Sequence, residues 1–150
     1  MIIREARKED FEQVLEIENL CFIDPYPIEH MKYEFNENPL NKILVACDGN
    51  KIIGFNNFMV TFNSATITQV AVLKEYRKQG IASQLLKEME NNFPKNLDDV
   101  VENITLEVRK SNLPAVNLYK KDGYEVIVEK KHYYKDGEDA LYMVKRLLCR

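Results

Sequence analysis

Apolar and polar residues alternate from Ile104 to Arg109, which puts Ile104, Leu106 and Val108 on one face of a strand and Thr105, Glu107 and Arg109 on the other. The spacing changes elsewhere. Ile81, Leu85, Met89 and Phe93 recur every fourth residue, and Phe11, Val14, Leu15, Glu18 and Cys21 or Phe22 follow a helical period. A shorter helix is predicted over about Ile28–Asn36, with Met31 and Phe35 on one face. Between these two helices, Phe22-Ile23-Asp24-Pro25-Tyr26-Pro27 must be a loop, because two prolines two apart bar a regular helix.

The remaining apolar runs read as strands. Ile2 and Ile3 open the first, and Ile43–Cys47 and Lys51–Thr61 form a hairpin around Asp48-Gly49-Asn50. The β-branched run Thr66–Val72 follows. Pro94 is expected to stop the helix that begins near Ile81, with Lys95–Asn103 as a loop. Asn112 can cap a helix with Pro114 in its first turn, running to Lys121 and closed by Gly123. Tyr124–Val128 and Asp139–Leu147 are the last strands, around the loop His132–Glu138. The order β-α-α-β-β-β-α-β-α-β-β predicts an α/β (α+β) chain. Its mixed central sheet has six to seven strands and is flanked on both faces by about four helices. With 150 residues and no repeats or linker, a single domain over 1–150 is expected.

Composition narrows the function classes. Net charge is −3, so nothing draws the chain as a whole to nucleic acid or an anionic membrane. Cys21, Cys47 and Cys149 are far apart, which fits reduced thiols in a cytoplasmic protein. The N-terminus is charged, and no stretch approaches the ~20 apolar residues of a membrane span. His30 and His132 are the two histidines, and without a Cys cluster a catalytic metal is not expected.

The stretch that carries chemistry begins at the strand ending in Val70-Ala71-Val72. A basic turn follows, Arg77-Lys78-Gln79-Gly80-Ile81-Ala82-Ser83, and opens the helix. A strand feeding a Gly-containing turn at a helix N-terminus presents free N–H groups and a positive dipole end to a phosphate. With five glycines, neither the dinucleotide fingerprint nor the P-loop can be assembled, so a nucleotide-bearing ligand is expected at this turn.

The turn also matches the [Q/R]-x-x-G-x-[G/A] signature, and the chain resembles the GNAT superfamily of acetyl-CoA-dependent N-acetyltransferases. Two further segments are similar to the RimI-type protein N-terminal acetyltransferases. These are Leu106-Glu107-Val108-Arg109-Lys110-Ser111-Asn112 through Leu118-Tyr119, and Tyr133-Tyr134 with Asp136-Gly137-Glu138-Asp139-Ala140. The likeness spans essentially the whole chain. It implies a GNAT fold and acetyl-CoA as co-substrate. The turn would wrap the pyrophosphate, Val70–Val72 would pair with the pantetheine arm, and Asn112 would contact the cofactor. It further implies Glu107 as general base and Tyr119 as the acid that protonates the departing thiolate. Periodicity alone would read Glu107 as part of a solvated face.

Direct transfer without an acyl-enzyme is expected. The acceptor is read as a protein or peptide N-terminus, a ribosomal protein among the candidates. The resemblance to N-terminal acetyltransferases implies that it would be held by Phe22, Pro25 and Tyr26 on one loop and Tyr133 and Tyr134 on the other. The loop Phe22–Pro27 is longer than the short F-P-W-type loop of the bacterial alanine acetyltransferases and looks more like archaeal relatives. A small-molecule amine acceptor and a non-catalytic acetyl-CoA-binding module are the alternatives.

Overall fold

A computed structural model of the chain describes residues 1–93 and 100–147. Its elements are β1 (Ile2–Glu5), α1 (Phe11–Cys21), α2 (Ile28–Asn36), β2 (Asn41–Asp48), β3 (Lys51–Thr61), β4 (Ser64–Val72), α3 (Ile81–Asn91), β5 (Asn103–Arg109), α4 (Leu113–Lys121), β6 (Glu125–Lys130) and β7 (Ala140–Arg146). Short 3₁₀ turns lie at Lys8–Asp10 and Lys74–Tyr76. The strands follow the order β1-β2-β3-β4-β5-β7-β6. β4 and β5 run parallel, whereas β1–β2, β2–β3, β5–β7 and β6–β7 are antiparallel. The mixed sheet and the predicted order of strands and helices are both found.

Some boundaries move, for identifiable reasons. The helix α3 ends at Asn91, because Asn92 folds back and its side-chain amide donates to the Glu88 carbonyl at 2.8 Å. Pro94, expected to stop this helix, and residues 95–99 lie outside the described residues, as does Cys149. Asn103, expected to end the loop, instead begins β5, where its Oδ1 accepts the Ser64 hydroxyl at 2.8 Å. The strand β6 continues past Val128 to Lys130.

By their own packing the described residues form two compact units, Met1–Met59 with Gln69–Phe93, and Val60–Thr68 with 100–147. In the first, five successive β2 residues, Ile43–Cys47, are all buried, so both faces of that strand are covered. Ile43, Val45, Cys47 and Phe55 meet Val14 and Ile17 of α1 and Met31 of α2. On the opposite face Phe58 packs edge-on against Phe93, just beyond α3, at 6.1 Å between centroids. Gly54 lets β3 and β4 come close, since a Cβ there would lie 2.8 Å from the Ala71 carbonyl oxygen. At the start of the chain Asp10 is buried and accepts both Arg4 guanidinium nitrogens (2.7 and 3.1 Å) and the Arg7 N–H (2.6 Å).

In the second unit β5 alternates as expected, with Ile104, Leu106 and Val108 buried and Thr105, Glu107 and Arg109 partly exposed. Its ladder with β4 covers Ser64–Thr66 against Asn103–Thr105. Helix α4 is capped as predicted: Asn112 Oδ1 accepts the Ala115 N–H at 3.3 Å. The helix closes where the Tyr124 N–H reaches back to the Tyr119 carbonyl at 2.9 Å.

Candidate active site

The predicted phosphate turn lies in the first unit. Lys78 and Gly80 both take left-handed backbone angles, φ 63° and 79°. Gly80 precedes α3 without any side-chain cap. The first intrahelical bond is Gln84 N–H to the Gly80 carbonyl. Among the described residues no hydrogen bond takes up the N–H groups of Gly80, Ile81, Ala82 and Ser83, as expected of a helix start that lacks a cap. Four donors with no internal acceptor, at the positive end of an 11-residue helix, fit a pyrophosphate.

The adjoining strand β4 is equally specific. The Leu73 N–H donates to Ile53 at 2.8 Å, so Ala71 and Leu73 direct their backbone groups toward β3. By alternation Val70 and Val72 direct theirs to the other edge. An extended amide-bearing arm could pair there, with Val70 and Val72 supplying the groups and Ala71 serving β3. The Val72 carbonyl already accepts Arg77 Nε at 2.9 Å and faces the Cys21 thiol at 3.7 Å. Arg77 therefore braces the turn against β4, and its Nη2 also reaches Cys21 Sγ at 3.7 Å.

The loop between α1 and α2 stands on a buried carboxylate. Phe22 and Tyr26 pack against the first unit's core, whereas Ile23 and Asp24 are exposed. Glu18 is fully buried; its Oε2 accepts the Tyr26 N–H at 2.8 Å, and its Oε1 accepts the Gln69 side-chain amide. Gln69 in turn accepts Asn57 Nδ2 at 3.3 Å. Burial pushes the Glu18 carboxyl above its usual value, opposed by these hydrogen bonds and by His30. His30 stacks on the Tyr26 ring at 4.0 Å and meets Glu34, while Glu29 pairs with Lys32 at 3.7 Å.

Glu107, Asn112, Tyr119, Tyr133 and Tyr134 all fall in the second unit. On β5, Glu107 lies directly across from Tyr142 of β7. Its Oε2 receives the Lys130 ammonium at 2.6 Å, and Lys130 also lies over the rings of Tyr142 (4.8 Å) and Tyr133 (5.4 Å). Two residues further along β5, the Arg109 guanidinium lies 4.1 Å from the Tyr134 ring centre and pairs with Asp136 (2.8 Å) and Glu138 (3.0 Å). Glu138 also accepts the Ser111 N–H at 2.9 Å. The loop's own bonds, Tyr134 N–H to Glu138 and Gly137 N–H to Tyr134, give it a fixed shape. Tyr133 and Tyr134 meet edge-on, 5.0 Å apart. Burial pushes the Tyr134 hydroxyl up to about 12, with Arg109 pulling the other way.

Tyr119 is buried on α4, its ring 5.5 Å from that of Tyr124. Burial, and next the nearby Tyr134, raise its pKa well above that of a free phenol, so it keeps its proton throughout the physiological range. The Asn112 Oδ1 is committed to the helix cap, which leaves its Nδ2 for a ligand.

Residues 11–124 match the family described as Acetyltransferase (GNAT) family. The chain belongs to that family. It is 34% identical to an N-alpha-acetyltransferase of Saccharolobus solfataricus over 97% of this chain and 92% of the relative. It is 36% identical to a putative [ribosomal protein bS18]-alanine N-acetyltransferase of Bacillus subtilis, over 94% and 92% of the two chains. Among solved structures it superposes on a chain of the NatC complex bound to Gag peptide and CoA, with TM-score 0.76, 25% identity and coverage of 99% and 100%. The chain is thus a GNAT acyltransferase. Among its described residues no helix is long and apolar enough to cross a membrane.

Sequence reasoning did not foresee Glu18, Gln69, Lys130 or Tyr142. Lys130 lies 23 residues from Glu107, and Gln69 lies 51 from Glu18, so no local pattern couples them. One signal was available for Glu18: it falls on the apolar stripe of α1, where a carboxylate needs a partner.

Proposed function

We propose that the enzyme transfers the acetyl group of acetyl-CoA to the α-amine of a protein N-terminus by direct attack, with Glu107 as general base and Tyr119 as general acid. The relatives named N-alpha-acetyltransferase and putative [ribosomal protein bS18]-alanine N-acetyltransferase, similar over nearly the whole chain, support this class of acceptor. One observation about the second unit carries it further. The strand that bears Glu107 also braces the tyrosine loop through Arg109 under Tyr134, and Lys130 of β6, paired with Glu107, lies beside Tyr133. The base and a peptide-binding loop are therefore parts of one rigid assembly.

The chemistry asks little of the base. A peptide α-amine has a pKa near ~7.7–8.0, so about a tenth to a fifth is neutral at pH 7, against about 0.04% of a lysine side chain. Glu107, partly exposed, can take the amine proton directly or through one water. The acetyl donor supplies a thioester carbonyl as electrophile and a thiolate as leaving group. The N–H groups of Gly80–Ser83 and the outward backbone groups of β4 would hold it. Tyr119, firmly protonated, donates a hydrogen bond to the sulfur as negative charge grows there. Full proton transfer to a thiolate of conjugate acid near ~8.5 is uphill, so the hydrogen bond does most of the stabilising.

The test is incubation with acetyl-CoA and a library of N-terminal peptides, following thiol release and product mass. Release with peptides supports the reading. Thiol release with free polyamines or amino acids alone would move the acceptor to small amines, and none with any amine would leave a binding module.

A further inference from the structure

We infer that Glu18 is a positioning residue for the acceptor, fixing the loop Phe22–Pro27 by gripping both of its ends. This rests on the proposed role of that loop in holding the acceptor N-terminus. The Glu18 backbone carbonyl accepts the Phe22 N–H at 3.2 Å, where the loop leaves α1. Its side chain accepts the Tyr26 N–H at 2.8 Å, just before the loop enters α2. The other carboxylate oxygen is anchored by Gln69, the residue before Val70 on β4, and Gln69 is held by Asn57 on β3. The backbone of Glu18 thus holds the loop where it leaves α1, while its side chain holds the far end and ties it to the strand read as holding the acetyl donor.

The residue type fits the task. Both groups that face the carboxylate are donors, the Tyr26 N–H and the Gln69 amide, and a carboxylate is an acceptor at both oxygens. A buried anion is costly without such donors, and loop packing alone would be served by an apolar side chain. Leucine at this position would leave two buried donors unpaired and free the loop to drift. Glutamine can restore the network once the Gln69 and Asn57 side-chain amides turn over: its oxygen takes the Tyr26 N–H, its amide donates to the reoriented Gln69 Oε1, and Gln69 Nε2 then donates to Asn57 Oδ1.

The experiment compares Glu18→Leu, Glu18→Gln and Tyr26→Ala in the full chain, using the best peptide from the library. E18L is expected to raise the peptide KM about tenfold or more while kcat stays within about threefold. Acetyl-CoA affinity should be unchanged, and E18Q should return the peptide KM to within about threefold of the parent enzyme. A folded E18L enzyme with the parent peptide KM overturns the inference, as does an equal loss of acetyl-CoA affinity. Should E18L not fold, Gln69→Met carries the same expectation, and an unchanged peptide KM there is equally fatal. Tyr26→Ala separates the two readings. If it leaves the peptide KM unaltered, the loop is not the acceptor site and the role of Glu18 falls with it. If Y26A raises KM and E18L does not, the inference about Glu18 alone fails.

Discussion

Glu107 and Lys130 meet carboxylate to ammonium at 2.6 Å, from strands that are not neighbours in the sheet, over the ring of Tyr142 on the strand between them. The pairing pushes the Lys130 pKa up, chiefly through the hydrogen bond from its ammonium to Glu107. Glu107→Gln should therefore do two things at once. Turnover should fall about 10²-fold or more with acetyl-CoA binding intact, within the usual range for a general base. Lys130 should also lose part of its raised pKa and label faster with an amine reagent near pH 9. Unchanged turnover in the folded variant removes Glu107 from the mechanism. Unchanged Lys130 labelling shows that the ion pair does not persist in solution.

Tyr119→Phe should lower turnover by a similar factor, about 10²-fold, and leave acetyl-CoA affinity alone. Because burial raises the Tyr119 hydroxyl pKa, its ionisation should not produce a fall in rate below pH 10. A spectroscopic titration of tyrosinate should show a late-ionising class that shrinks in the Y119F and Y134F variants, since Tyr134 is also pushed up, to about 12. If Y119F keeps the parent turnover, the acid is another group.

Asp10 and Glu18 should act on acid stability with opposite signs. The Arg4 guanidinium holds Asp10 below the usual carboxylate value, so its contribution is present above ~3.9 and is lost as pH falls through the folded value. Burial holds Glu18 above its usual value, so its contribution is present below ~4.3 and is lost as pH rises through the folded value. Asp10→Asn should cost about 1.5–3 kcal/mol at neutral pH and flatten the loss on acidification. Glu18→Gln should steepen that loss. Urea unfolding between pH 3 and 7 reads both slopes, and parallel profiles for the two variants would contradict the assignment.

Two glycines should fail differently. At Gly54 the obstacle is space: a methyl group would press on the Ala71 carbonyl oxygen at 2.8 Å, so Gly54→Ala should cost about 1–3 kcal/mol in thermal or urea unfolding. At Gly80 nothing lies within 4 Å of an added Cβ, and the obstacle is the left-handed φ of 79°. Gly80→Val should strain the turn by about 1–2 kcal/mol and weaken acetyl-CoA binding about tenfold. Equal cofactor affinity in a folded Gly80→Val enzyme would refute the pyrophosphate assignment.

The sequence made the elements legible because their signals are local. Alternation along Ile104–Arg109, the i+4 stripe of α3, and the Asn112 cap with Pro114 each lie within a dozen residues and reappear within a residue or two of their expected bounds. The Gly80 turn and the helix start after it were visible for the same reason. What stayed hidden is how the candidate residues are held. Glu107 is ordered by Lys130, Tyr134 by Arg109, and Tyr26 by Glu18, and each partner arrives through strand register or loop closure. Nor could alternation alone say which of Val70, Ala71 and Val72 turns its backbone outward; the bond from Leu73 to Ile53 decides that.

The last strand in the sheet order has a bearing on how the protein behaves when crowded. β6 ends the sheet, and Val126, Ile127 and Val128 are all substantially exposed, the composition of a strand that could recruit another chain to its free edge. Between Val126 and Val128 the register with β7 shifts, so Ile127 is an extra residue that bends the edge and spoils it as a template. Charged Glu125, Glu129, Lys130 and Lys131 flank the apolar triplet. Lys130 thus belongs to two systems at once, guarding the edge against fibrous association while holding the carboxylate of Glu107.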